Sequence, residues 1–218
     1  KKYQVFVTGG VGPGVTSSLF QTVYDQDFTL QTSNPIFDVT VGLYPNGSTV
    51  SSSLQGVDAA GKELFPSSSL MMREKMDVYR QFAQALLGDA NGVFSAPLDS
   101  SNAGDNMDAS LFISFKRLFA RDQLKRETFA MRFFQSASFV SKTGNPDTAP
   151  AADVMGVTNL NVTSISGSAI YTDIGAATSK QVAFGGQYGN LVDAADTNRN
   201  VGLLFYDRGI AVLDLAKI

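Results

Sequence analysis

Two apolar runs near the C-terminus constrain the chain most: Val201-Gly202-Leu203-Leu204-Phe205-Tyr206 and Ile210-Ala211-Val212-Leu213-Asp214-Leu215, separated by Asp207-Arg208-Gly209. Apolar, β-prone runs joined by a short Gly-containing turn predict an antiparallel hairpin. Other segments rich in β-branched and aromatic residues are 3–8, 20–28, 36–44, 111–115, 128–134, 159–165 and 168–172, and each reads as a strand. Residues 119–125 fit either a strand or a helix, with 121–126 as the connection to the strand at 128–134.

One segment has a different period. Met72, Met76, Tyr79, Ala83 and Leu86 recur at steps of four and three, and Val78, Phe82 and Leu87 widen the stripe. That spacing predicts an amphipathic helix, with Ser67, Ser68 and Ser69 as caps and Gly88 as its stop. Met71, Met72 and Met76 are read as helix core, with an adaptable partner-binding face as the alternative.

The remaining chain is weakly patterned. Residues 46–69 and 89–109 are rich in Gly, Ser, Asn and Asp, and 141–156 carries Pro146 and Pro150. These read as long loops, some ordered only by neighbours, and residues 1–16 read as an N-terminal arm. With 44% apolar residues, the 218-residue chain can bury a core. The expectation is one domain over 1–218, β-rich α+β, with a small antiparallel sheet or sandwich core and one main amphipathic helix.

Composition removes whole classes of chemistry. The chain has no Cys and no His, so disulfides, thiolate nucleophiles, Ser-His-Asp triads and imidazole-ligated metals are excluded. What remains is carboxylate, Lys or Tyr chemistry, or a hard cation on oxygen ligands. Seventeen basic against 20 acidic residues give no basic field for nucleic acid or anionic lipid. No stretch of about 18 apolar residues spans a bilayer. The basic start, Lys1-Lys2-Tyr3-Gln4, is followed by too few apolar residues for a signal peptide, so assembly in a reducing cytoplasm is expected.

Several patterns imitate functional motifs. Residues 5–14, VFVTGGVGPG, resemble a strand entering a nucleotide loop. A dinucleotide fingerprint needs glycine at its first, third and sixth places, but the sixth place is Val15 counting from Gly10 and Ser17 counting from Gly12. No Gly-Lys-Ser/Thr is present for a phosphate loop, so an arm or tight turn against a neighbouring chain is the better reading. Two acidic clusters, 99–108 and 193–200, lack the spacing of a calcium loop and read as turns. Arg117, Arg121, Lys125 and Arg126 alternate with Phe115 and Phe119, and read as a solvated face or a subunit contact rather than a nucleic-acid surface. No catalytic, cofactor-binding or metal-binding residues are assigned.

Four segments carry a family resemblance: SSLFQTVYDQDFTLQTSNPIFDVTVGLY (17–44), MDVYRQFAQALLG (76–88), LFISFKRLFARDQLKRETFAMRF (111–133) and GQYGNLVDAADTNRNVGLLFYDRGIAVLDLAKI (186–218). Together they cover about half the chain and resemble a structural protein of T-even-type, contractile-tailed marine phages, including those that infect cyanobacteria. The resemblance implies a virion protein of the neck, tail or baseplate, without catalytic residues or cofactor.

The expected partners are other virion proteins and copies of the same chain in a symmetric ring, with no nucleic acid, membrane or small-molecule substrate. Residues 9–14, the 46–69 loop and the C-terminal hairpin are candidate contacts. The rival readings are a capsid decoration or vertex protein, a carboxylate-based cell-wall hydrolase, and a receptor-binding domain on a fibre. No pair of carboxylates is spaced to favour the hydrolase.

Overall fold

A computed structural model describes residues 11, 19–26, 29–45, 56–57, 63–64, 67–96, 106–116, 122–134 and 168–218. The strands in chain order are β1 (Phe20–Tyr24), β2 (Pro35–Leu43), β3 (Gly56–Val57), β4 (Glu63–Leu64), β5 (Ala109–Phe115), β6 (Ala130–Phe134), β7 (Ser168–Thr172), β8 (Gln181–Ala183), β9 (Gly186–Asp193), β10 (Asn200–Phe205) and β11 (Ile210–Asp214). The helix α1 (Ser67–Leu86) lies between β4 and β5. The fold is β-rich α+β, as the sequence predicts.

Nine strands form one antiparallel sheet in the order β1-β2-β5-β11-β10-β9-β7-β6, with β8 also paired to β9. The C-terminal hairpin forms with Phe205 opposite Ile210 and Gly209 at φ 64°. It lies at the centre of the sheet, where β11 pairs with β5 and β10 with β9. Each residue of β10 is buried, as are four of the five in β11. Its strands are buried on both faces and paired on both edges, so the surface this hairpin offers is its turn, where Asp207 and Arg208 are exposed.

The expected loop over 46–69 holds the short β3–β4 pair and the start of α1. Residues 122–129 form turns, neither strand nor helix. β8 and β9 have no counterpart among the expected strands. The expected strands at 3–8 and 159–165 and the loop at 141–156 lie outside the described residues.

The two faces of the sheet are packed differently. On one, Tyr79, Ala83 and Leu86 of α1 bury against Phe112, Leu203, Phe205 and Val212, joined by Phe94 and Met107. The helix comes this close because β2 carries Gly42: a Cβ there would stand 2.9 Å from the Tyr79 Cα and 2.7 Å from the Phe112 ring. Gly88, at φ 84°, ends the helix, and the Gly185 N–H donates to the Leu86 carbonyl at 2.8 Å. The opposite face gathers Val41, Leu43, Ile113, Leu191, Leu204, Ala211 and Leu213. The sheet curls over this face: Phe129, just before β6, meets Phe115 of β5 edge-on at 5.8 Å, although β5 and β6 lie far apart in the strand order.

Candidate functional site

A buried polar cluster surrounds Asp173, immediately after β7. Its side chain is fully buried. Oδ2 accepts from the Glu127 N–H at 2.7 Å and from the Tyr206 hydroxyl at 3.0 Å, while Oδ1 accepts from the Phe129 N–H at 3.0 Å. A buried carboxylate needs such donors, since an uncompensated charge in the interior is strongly unfavourable. Glu127 takes a left-handed conformation, φ 57°. That departure lets two amides of one short segment converge on a single carboxylate.

Tyr206, at the end of β10, anchors the cluster to the sheet. Burial first, then the Asp173 charge, pushes its phenol pKa well above the ordinary tyrosine value, so it remains a neutral donor. Gly189 of β9 makes room for it: a Cβ there would stand 2.6 Å from the Tyr206 hydroxyl and 2.8 Å from the Ala176 methyl. The Arg126 guanidinium stacks 5.1 Å from the Tyr206 ring centroid and donates to the Ala176 carbonyl and the Gln187 side chain. Glu127 Oε1 accepts from the Ala177 N–H at 3.3 Å. The carboxylate is occupied by three donors, so the arrangement is suited to holding segments together rather than to proton transfer.

Sequence reasoning missed this cluster. Asp173 lies 44 and 46 residues from its amide donors and 33 from Tyr206, and no local pattern joins them. Arg126, read as part of a solvated or contact face, instead stacks inward on Tyr206, while Lys125 is exposed. Arg117, Phe119 and Arg121 lie outside the described residues, as does the glycine stretch 9–14 apart from Val11. Val11 packs against the concave apolar cluster.

The acidic clusters resolve where they are described. In 193–200, Asp193 Oδ1 accepts from the Ala195 N–H and Asp196 Oδ1 from the Asn198 N–H, each carboxylate closing its own turn. Arg199 pairs with Asp193 at 3.3 Å and donates to the Lys217 carbonyl at 2.6 Å, fastening the last residues beside the β9–β10 turn. At the other cluster, Asn106 Oδ1 accepts from the Ser95 hydroxyl and the Asp108 carbonyl from the Tyr44 N–H. Among the described residues no group of three or more acidic side chains could hold a metal ion.

On α1, Lys75 is fully buried one turn before Tyr79, and burial lowers its ammonium pKa. The outer face of α1 carries a shallow groove lined by Asp77, Arg80, Gln81, Gln84, Ala85 and Ala90. Among the described residues no helix is long and apolar enough to cross a membrane. No known protein family, curated protein or solved structure matches the chain.

Proposed function

We propose that the chain is a structural subunit of a contractile-tailed phage virion, placed in the neck, tail or baseplate and acting through protein–protein assembly. Its partners in this reading are other virion proteins and copies of itself in a symmetric ring. The observation that carries the reading is where the four resembling segments fall. They contain β1, β2, β9, β10, β11 and most of β5, which are consecutive neighbours in the sheet, the half of α1 that packs on them, and most of β6 at the far end of the sheet. The resemblance therefore falls chiefly on one run of six neighbouring strands and the helix packed on them.

Exposed apolar side chains outside that unit's centre support assembly as the mode of action. Phe20 on the edge strand β1 is 66% exposed, and Val182 and Phe184 of the β8–β9 hairpin are 73% and 69% exposed. Apolar groups of this size lose unfavourable hydration when a neighbour covers them.

Quantitative mass spectrometry of gradient-purified particles, separated into heads and tails, tests the proposal. Recovery with tails in a small fixed copy number is the expected result. Recovery with heads in high copy number would replace it with a capsid decoration role, and absence from particles would refute it.

A further inference from the structure

We propose that the β6–β7 ribbon is a hinged flap, latched at its root by Asp173, whose opening uncovers the apolar concave face of the sheet. This does not depend on the assembly role above.

The ribbon is internally regular but narrowly attached. β6 and β7 pair over five positions, from Ala130 opposite Thr172 to Phe134 opposite Ser168. Among the described residues β7 joins the rest of the sheet at two positions, Tyr171 opposite Asp193 and Thr172 opposite Val192, continued by the Ala194 N–H to the Ile170 carbonyl at 2.8 Å. The seam ends where β7 gives way to the turn at Asp173, and β8 takes the other end of the same β9 edge, at Tyr188, Gln187 and Gly186. In contrast, β2 and β5 pair over seven positions and β5 and β11 over five. A two-stranded ribbon is marginal on its own, and segments with few ties open at lower free energy than the core.

The latch is at the root of both strands. Asp173 follows β7, Glu127 and Phe129 precede β6, and the carboxylate binds both amides together with Tyr206 of the central sheet. The Thr172 hydroxyl adds a bond to the Phe129 carbonyl at 2.9 Å. Beyond the root, Met131, Phe133 and Tyr171 turn into the concave cluster that holds Ile113, Leu204 and Ala211. Swinging the ribbon outward would expose that face while β5, β11 and β10 stay paired and α1 stays seated on the other side.

Single-cysteine labelling tests this, because the chain has no cysteine of its own. Ala211→Cys places a thiol in the concave cluster and Ala83→Cys places one under α1; both alanines are fully buried. The readout is the ratio of their iodoacetamide labelling rates in native buffer. Ala211→Cys is expected to react faster, and adding Asp173→Asn is expected to raise the ratio by on the order of tenfold, since loss of a buried charge-assisted bond weakens only the latched segment. Should Asp173→Asn fail to fold, Tyr206→Phe, which keeps the ring and removes one donor, is read the same way. Equal rates in the parent chain, or a ratio unchanged by the latch variant, would overturn the flap.

Discussion

The helix-covered face and the concave face of the sheet are both apolar and both buried, yet they are closed by different means. The helix face is aromatic: Phe112 stacks on Phe82 at 4.2 Å and meets Tyr79 and Phe94 edge-on. Its cover is chiefly one regular element whose side chains arrive at helical spacing, with Phe94 and Met107 added from beyond the helix. The concave face is largely aliphatic, and its cover is the sheet's own far end, brought over by the 122–129 turns. A face covered by one helix is set by a local pattern, whereas a face covered by a curl depends on several distant contacts at once.

If the aromatic face is the better-packed one, Phe112→Ala has the largest effect, a loss of about 4 kcal/mol, and Leu204→Ala on the concave face a smaller one of about 3 kcal/mol. Urea midpoints measured on both variants check the order, and a reversed order would break the comparison. Gly42→Val is expected to destabilise by roughly 2 kcal/mol, because the new side chain meets the helix backbone, which must shift. A Gly42→Val chain with an unchanged urea midpoint would show that α1 is not held at this contact.

A smaller effect sharpens the contrast through pH. Tyr79 donates to the Met107 carbonyl at 3.0 Å and accepts from the Phe94 N–H at 2.9 Å, and burial raises its pKa. On the other face burial pushes Tyr171 up to about 12. The unfolded chain releases these protons near pH 10 while the folded chain retains them, so their contribution is complete below about pH 10 and is lost as pH rises towards the folded values. Urea midpoints are expected to fall steeply above that pH. Tyr79→Phe is expected to flatten the fall and to lower stability at neutral pH by about 1–2 kcal/mol, by leaving the Phe94 amide unpaired. The smallest effect belongs to the Lys116–Asp38 pair, in which Lys116 is 40% exposed at the side chain and Asp38 also accepts from Thr22. Lys116→Ala is expected to shift stability by no more than about 0.5 kcal/mol in the same assay.

The helix and the closing hairpin were legible because each is a short-range pattern: steps of four and three for Tyr79, Ala83 and Leu86, and two apolar runs about a turn for the hairpin. β5 was legible for the same reason. The β8–β9 hairpin was not, because Gln181–Ala183 is short and Gly186–Asp193 interleaves Gly and polar residues with few large apolar ones. Gly185 and Gly189 are selected by close approach to Leu86, Ala176 and Tyr206, none of them adjacent in sequence. The curl of the nine-stranded sheet depends on long-range pairs such as Phe115 with Phe129. The Asp173 cluster was invisible for the same reason, and its one local irregularity, the left-handed Glu127, leaves no mark on composition.

The central position of the hairpin also bears on how the chain is made. β11 lies between β5 and β10, and it is the last of the eleven strands to leave the ribosome. Until it emerges, β2 is the one native partner available to β5 among the described strands, and the other edge of β5, an apolar strand, lacks its partner β11. Folding must then wait for nearly all of these strands to be translated, a nonlocal topology that slows closure and leaves the nascent chain dependent on protection from aggregation.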